Sequence, residues 1–79
     1  MTPKGRKEFE ESKLAAVNIA KETARKYEGS DNLKIAASSK ALMQELNIQE
    51  SLVKYQNQLN DEQLKQVQIR LDGLRGLQN

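Results

Sequence analysis

Apolar residues recur along this chain at spacings of three and four residues, and this spacing limits the possible folds more than any other feature. Such spacing places successive apolar side chains on one face of an α-helix. No stretch alternates apolar and polar residues for long enough to form a strand, and proline occurs only at position 3. We therefore predict an all-α fold, a small bundle of three or four short helices in a single domain, 1–79.

Capping signals divide the chain into predicted helices. Thr2 and Pro3 suit the start of the first helix, and Gly29 suits its end. Two residue pairs have capping-box spacing, in which the first side chain accepts a hydrogen bond from the backbone three residues later. These pairs are Asn47 with Glu50, and Asn60 with Gln63. The predicted helices lie near 3–28, 31–46, 48–59 and 61–72, followed by a flexible tail, 73–79.

The division at Asn47 has an alternative interpretation. The apolar stripe of 31–46 loses its phase there, because polar Gln49 and Glu50 occupy the next positions of that face. Two further apolar strips flank the break: Leu33, Ala37 and Ala41 before it, and Ile48, Leu52, Tyr55 and Leu59 after it. The alternative is one continuous helix whose apolar face drifts around its axis. The residues predicted to be mostly buried are Leu42, Leu46, Ile48, Leu52 and Leu64.

Composition argues against an enzyme. The chain has no Cys and no His, which excludes thiol chemistry, imidazole bases and the usual zinc sites. Neighbouring carboxylates, such as Glu10 with Glu11 and Asp61 with Glu62, diverge around a helix and predict no catalytic pair and no metal site. We expect no cofactor and no small-molecule substrate.

A protein–protein interaction or assembly module is therefore the leading functional prediction. The core is modest for 79 residues, so that a second copy or another protein would complete it. Alanines at four-residue spacing on the first helix would allow another helix to approach closely. The predicted partner-binding residues are Ala16, Ala20, Ala24 and Tyr27.

The alternative prediction is a small DNA-binding regulator. Residues 40–59 can be threaded onto a helix-turn-helix with its corner at Asn47, although any helix–Asn–helix corner produces much of this match. Polar side chains after the corner would read base edges, and a basic N-terminal arm would contact phosphates. The predicted nucleic-acid-binding residues are Lys4, Arg6, Lys7, Gln49, Ser51, Lys54 and Asn57.

Charge and hydropathy bear on nucleic-acid binding and on location. Thirteen basic and eleven acidic residues give a net charge of +2, which does not mark the whole chain as a polyanion binder. No apolar run is long enough for a signal peptide or a membrane span. We therefore expect no membrane insertion and a cytoplasmic location.

Overall fold

Residues 3–78 of the computed structural model form three helices. Helix α1 spans Pro3–Glu28, α2 spans Leu33–Gln56 and α3 spans Asp61–Gln78. Within this described part of the chain no residue lies in a strand, so the all-α prediction is confirmed. The bundle is elongated, with principal extents of 46 × 18 × 17 Å.

Two four-residue connections join the helices, and Asn side chains shape both of them. Asn32 caps α2, its side chain accepting hydrogen bonds from the backbone N–H groups of Lys34 at 3.0 Å and Ile35 at 3.4 Å. Asn57 ends α2 in the left-handed conformation (φ 51°), which Asn tolerates better than most residues. Asn60 caps α3 by accepting from the Gln63 backbone N–H at 3.0 Å, as the capping-box spacing predicts. The cap predicted at Thr2 lies outside the described residues.

The core lies along the line where the three helices meet. Each helix contributes residues at three- and four-residue spacing, and these include the alanines of α1. The buried apolar residues are Val17, Ala20, Ala24 and Tyr27 of α1, Ile35, Leu42, Leu46 and Val53 of α2, and Leu64, Val67, Leu71 and Leu74 of α3.

The predicted turn at Asn47 is wrong, because α2 continues through it without interruption. The buried face of α2 runs through polar Gln49, which is fully buried between Leu46 and Val53. The stripe therefore keeps its phase, and the two predicted helices, 31–46 and 48–59, are one. Ile48 consequently lies on the opposite face and is 57% exposed, whereas Leu42, Leu46 and Leu64 are buried as predicted and Leu52 is partly buried.

The predicted flexible tail is also wrong for the residues that the structure describes, since α3 extends to Gln78. Gly73 and Gly76 lie inside this helix, and neither has a positive φ. Leu74 between them is only 8% exposed. Burial of Leu74 favours the helix enough to offset the weak helix propensity of its glycine neighbours.

Candidate interaction surface

The alanine stripe of α1 does not form an external surface. Ala20, Ala24 and Tyr27 are buried, and Ala16 packs against the same core. The helix that approaches them is α2 of the same chain, and the Ser39 hydroxyl donates a 2.7 Å hydrogen bond to the Ala24 carbonyl. Small residues thus permit close packing as predicted. The fold itself already covers Ala20, Ala24 and Tyr27 and part of Ala16, so that α2 and the core of the same chain occupy the predicted partner-binding surface.

The buried amide of Gln49 holds the end of α2 to the start of α3. Its Oε1 accepts a hydrogen bond from the backbone N–H of Asn60 at 3.1 Å, and its Nε2 donates to Oε1 of Gln63 at 2.9 Å. Asn60 and Gln63 are the capping-box pair of α3. Gln49 therefore supplies, from α2, the acceptor for the cap N–H that the Gln63 side chain provides in an ordinary capping box. This buried position excludes Gln49 from reading DNA.

The other residues of the predicted DNA-reading element do not form a helix-turn-helix either. Ser51 and Lys54 are exposed on the last turns of the uninterrupted α2, and Asn57 caps that helix. Without a turn at Asn47, no separate recognition helix exists in 40–59.

The basic arm at the N-terminus is the start of α1. Lys4 and Lys7 are exposed there, and the side chain of Arg6 lies outside the described residues.

A half-buried ion pair connects α1 with α2. Lys21 Nζ lies 2.9 Å from Glu50 Oε2, and Lys54 Nζ lies 3.5 Å from Glu50 Oε1. The hydrogen bond from Lys21 and the charges of both lysines hold the pKa of Glu50 below its ordinary value, although burial acts in the opposite direction. Glu50 therefore positions two helices, and its charge compensates that of Lys54.

The outer face of α2 carries a line of mostly apolar side chains, most of which are exposed. We call this line the α2 outer stripe. It joins the two apolar strips that the sequence shows on either side of Asn47. Its members follow one another at spacings of four, four and three residues, a pattern that repeats after eleven residues. They are Leu33, Ala37, Ala41, Gln44, Ile48, Leu52 and Tyr55.

Exposure along the stripe is high at both ends and in the middle. Leu33 is 82% exposed, Ile48 57% and Tyr55 81%. Ala37, Ala41 and Gln44 are exposed between them. Because eleven residues complete just over three whole turns, the stripe runs nearly parallel to the helix axis. It presents a straight ridge to solvent, with large side chains in its C-terminal half and small ones after Leu33.

An open apolar groove of about 570 Å³ adjoins the stripe between α2 and α3. Ala41 belongs to both the groove and the stripe, and Leu77 stands 72% exposed at the groove. Arg70 lines the groove, and its Nη1 lies 3.6 Å from Oε1 of Glu45. The groove was not predicted, because Leu77 belongs to the segment expected to be a flexible tail.

The described residues offer little for other kinds of site. Residues 3–78 contain no cluster of three or more acidic side chains that could hold a metal ion. No helix among them is long and apolar enough to cross a membrane.

No family model, no curated protein and no solved structure matches this chain. No relative therefore assigns a role to the outer stripe.

Proposed function

We propose that this protein is a non-catalytic protein–protein interaction module that docks through the α2 outer stripe. The observation that carries the proposal is the alignment of Leu33, Ile48 and Tyr55, each more than half exposed, along one line of one helix. Single exposed apolar residues are ordinary on protein surfaces, but an aligned set of them is typical of an interaction surface.

The bundle does not need this stripe for its own core. Helix α2 already buries its opposite face through Ile35, Leu46 and Val53. Covering each large stripe side chain would contribute about 1.5–3 kcal/mol of hydrophobic free energy. Three such side chains, with a matching apolar area on the partner, contribute about 9–18 kcal/mol, against about 4–15 kcal/mol for the freedom lost on association. The difference supports reversible binding, which suits an assembly module.

The proposal assigns no chemistry to the protein. The chain has neither His nor Cys, and the least exposed ion-paired carboxylate, that of Glu50, is held by two lysines. An acceptor held in this way is a poor general base, because its lowered pKa weakens its affinity for a proton.

Site-specific photo-cross-linking tests the proposal in cells that express the full chain. A photoreactive phenylalanine analogue is placed at Ile48 or Tyr55, and a matched control carries it at Ile69, which is 53% exposed on α3. We expect adducts of defined mass from the two stripe positions and none from Ile69. Adding Ala41→Glu should remove these adducts, because it places a charge in the middle of the stripe. Equal adducts at all three positions, or none, would refute the proposed docking surface.

A further inference from the structure

We infer that the partner of the α2 outer stripe is the same stripe of a second copy of this chain, running antiparallel with the two-fold axis at Gln44. This inference rests on the proposed function and names its partner. An isologous contact of this kind requires the surface to be complementary to itself. The stripe satisfies that requirement in size, polarity and charge.

Size complementarity appears when two stripes are paired in opposite directions. The small residues Ala37 and Ala41 of one copy then face the large residues Leu52 and Ile48 of the other. The two ends bring Leu33 against Tyr55. A parallel pairing would instead set alanine against alanine and leave a gap in the N-terminal half. Packing at close to interior density therefore favours the antiparallel direction.

Polarity fixes the register. Gln44 stands halfway between Leu33 and Tyr55, so that the two-fold axis brings the two Gln44 side chains together. A carboxamide has both a donor and an acceptor, and two carboxamides across a two-fold axis can therefore bond to each other. A shift of one turn would bury both amides against apolar groups, at the free-energy penalty of an unpaired polar group.

Charge is compatible with this pairing. Lys34 and Lys54 are equally distant from Gln44 along the helix, but they lie on opposite flanks of the stripe and do not meet. Lys40 falls beside Asn47 of the second copy. The two Glu45 carboxylates approach the axis on the α3 side, and Arg70 of the same chain, 3.6 Å away, compensates each of them. The antiparallel helix dipoles are also favourable.

The area of the stripe sets the size of such a contact. The stripe accounts for on the order of 600 Å² per copy, which would bury about 1,200 Å² in the pair. This total lies at the lower limit of specific interfaces, so that we expect a reversible dimer with a Kd in the micromolar range.

Sedimentation equilibrium of the full chain, from low micromolar to near-millimolar concentration, measures the self-association. We expect a monomer–dimer equilibrium that Ile48→Asp weakens at least tenfold. The matched control Ile69→Asp should leave it unchanged, since Ile69 is similarly exposed on α3. Circular dichroism of both variants verifies that the helices remain. A chain that stays monomeric throughout, or two variants that weaken the dimer equally, would overturn the inference.

Cysteine cross-linking determines the direction, since the natural chain has no Cys. Gln44→Cys should form a disulfide-linked dimer on oxidation, and a mixture of Leu33→Cys with Tyr55→Cys should form the mixed dimer in preference to either homodimer. Homodimers of both end variants would indicate a parallel pair and overturn the inference. If the protein is monomeric but stripe-specific adducts to another protein form in cells, the second copy is excluded and the docking surface stands. Absence of those adducts removes the proposed function itself.

Discussion

Replacement of Gln49 tests whether the buried amide is what attaches α3 to α2. Gln49 is fully buried and makes two hydrogen bonds, to Gln63 and to the backbone N–H of Asn60. Gln49→Ala removes both bonds, each worth about 1 kcal/mol net, and the buried Cγ methylene group, worth about 0.8 kcal/mol. We therefore expect the free energy of unfolding to fall by about 3 kcal/mol, a large part of the stability of a small domain.

Gln49→Leu separates hydrogen bonding from packing, because leucine fills a similar volume without the amide. The two hydrogen bonds are lost, but apolar burial offsets part of that loss, so that we expect a decrease of about 1 kcal/mol. Gln66→Ala on the exposed surface of α3 is the control, and its effect should stay within about 0.5 kcal/mol.

The assay is urea unfolding followed by circular dichroism, at a protein concentration low enough to keep the chain monomeric. Hydrogen exchange adds a local measurement, since the Asn60 N–H should lose protection in both variants. A Gln49→Leu protein as stable as the parent, with the Asn60 N–H still protected, would refute the assigned role of the amide.

Three further predictions concern other contacts. Because Lys21 lowers the pKa of Glu50, the ionised carboxylate stabilises the fold above its unfolded pKa near 4.5, and this contribution disappears as the pH falls through the lower folded value. In urea titrations, the free energy of unfolding of Glu50→Gln should therefore decrease less at acid pH than that of the parent protein. An equal decrease in both proteins would contradict the role of the ion pair. Ser39→Ala removes the bond to the Ala24 carbonyl and should decrease the unfolding free energy by about 0.5–1.5 kcal/mol, whereas a more stable variant would contradict this assignment. Gly76→Ala should raise the thermal midpoint by the equivalent of about 0.5–1 kcal/mol, since a Cβ there meets no atom within 4 Å, and destabilisation would mean that α3 ends earlier.

Helix type, the bounds of α1 and the start of α3 could be predicted from local signals. Gly29 and the pair Asn60 with Gln63 act over one helical turn, which a sequence window contains. The continuity of α2 could not be predicted in this way. The hydrogen-bond partners of the buried Gln49 side chain, Asn60 and Gln63, lie 11 and 14 residues further along the chain. Counting Gln49 as a surface residue divided one helix into two.

The candidate surface illustrates the same limit. An alanine stripe shows that some helix approaches α1, but its spacing does not say whether that helix belongs to the same chain. The two apolar strips on either side of Asn47 were visible in the sequence. Their union into one exposed line depended on the continuity of α2, and hence on the burial of Gln49.

The four-residue connections between helices also determine how quickly the fold forms. Each helix packs against its neighbour along the chain, and helical proteins with such local contacts fold in microseconds to milliseconds. Two chains at micromolar concentration meet productively only about 0.1–10 times per second, given ordinary association rate constants of about 10⁵–10⁷ M⁻¹ s⁻¹. Each copy is therefore fully folded before it encounters another. Its refolding rate should be independent of protein concentration even under conditions where the proposed dimer is populated.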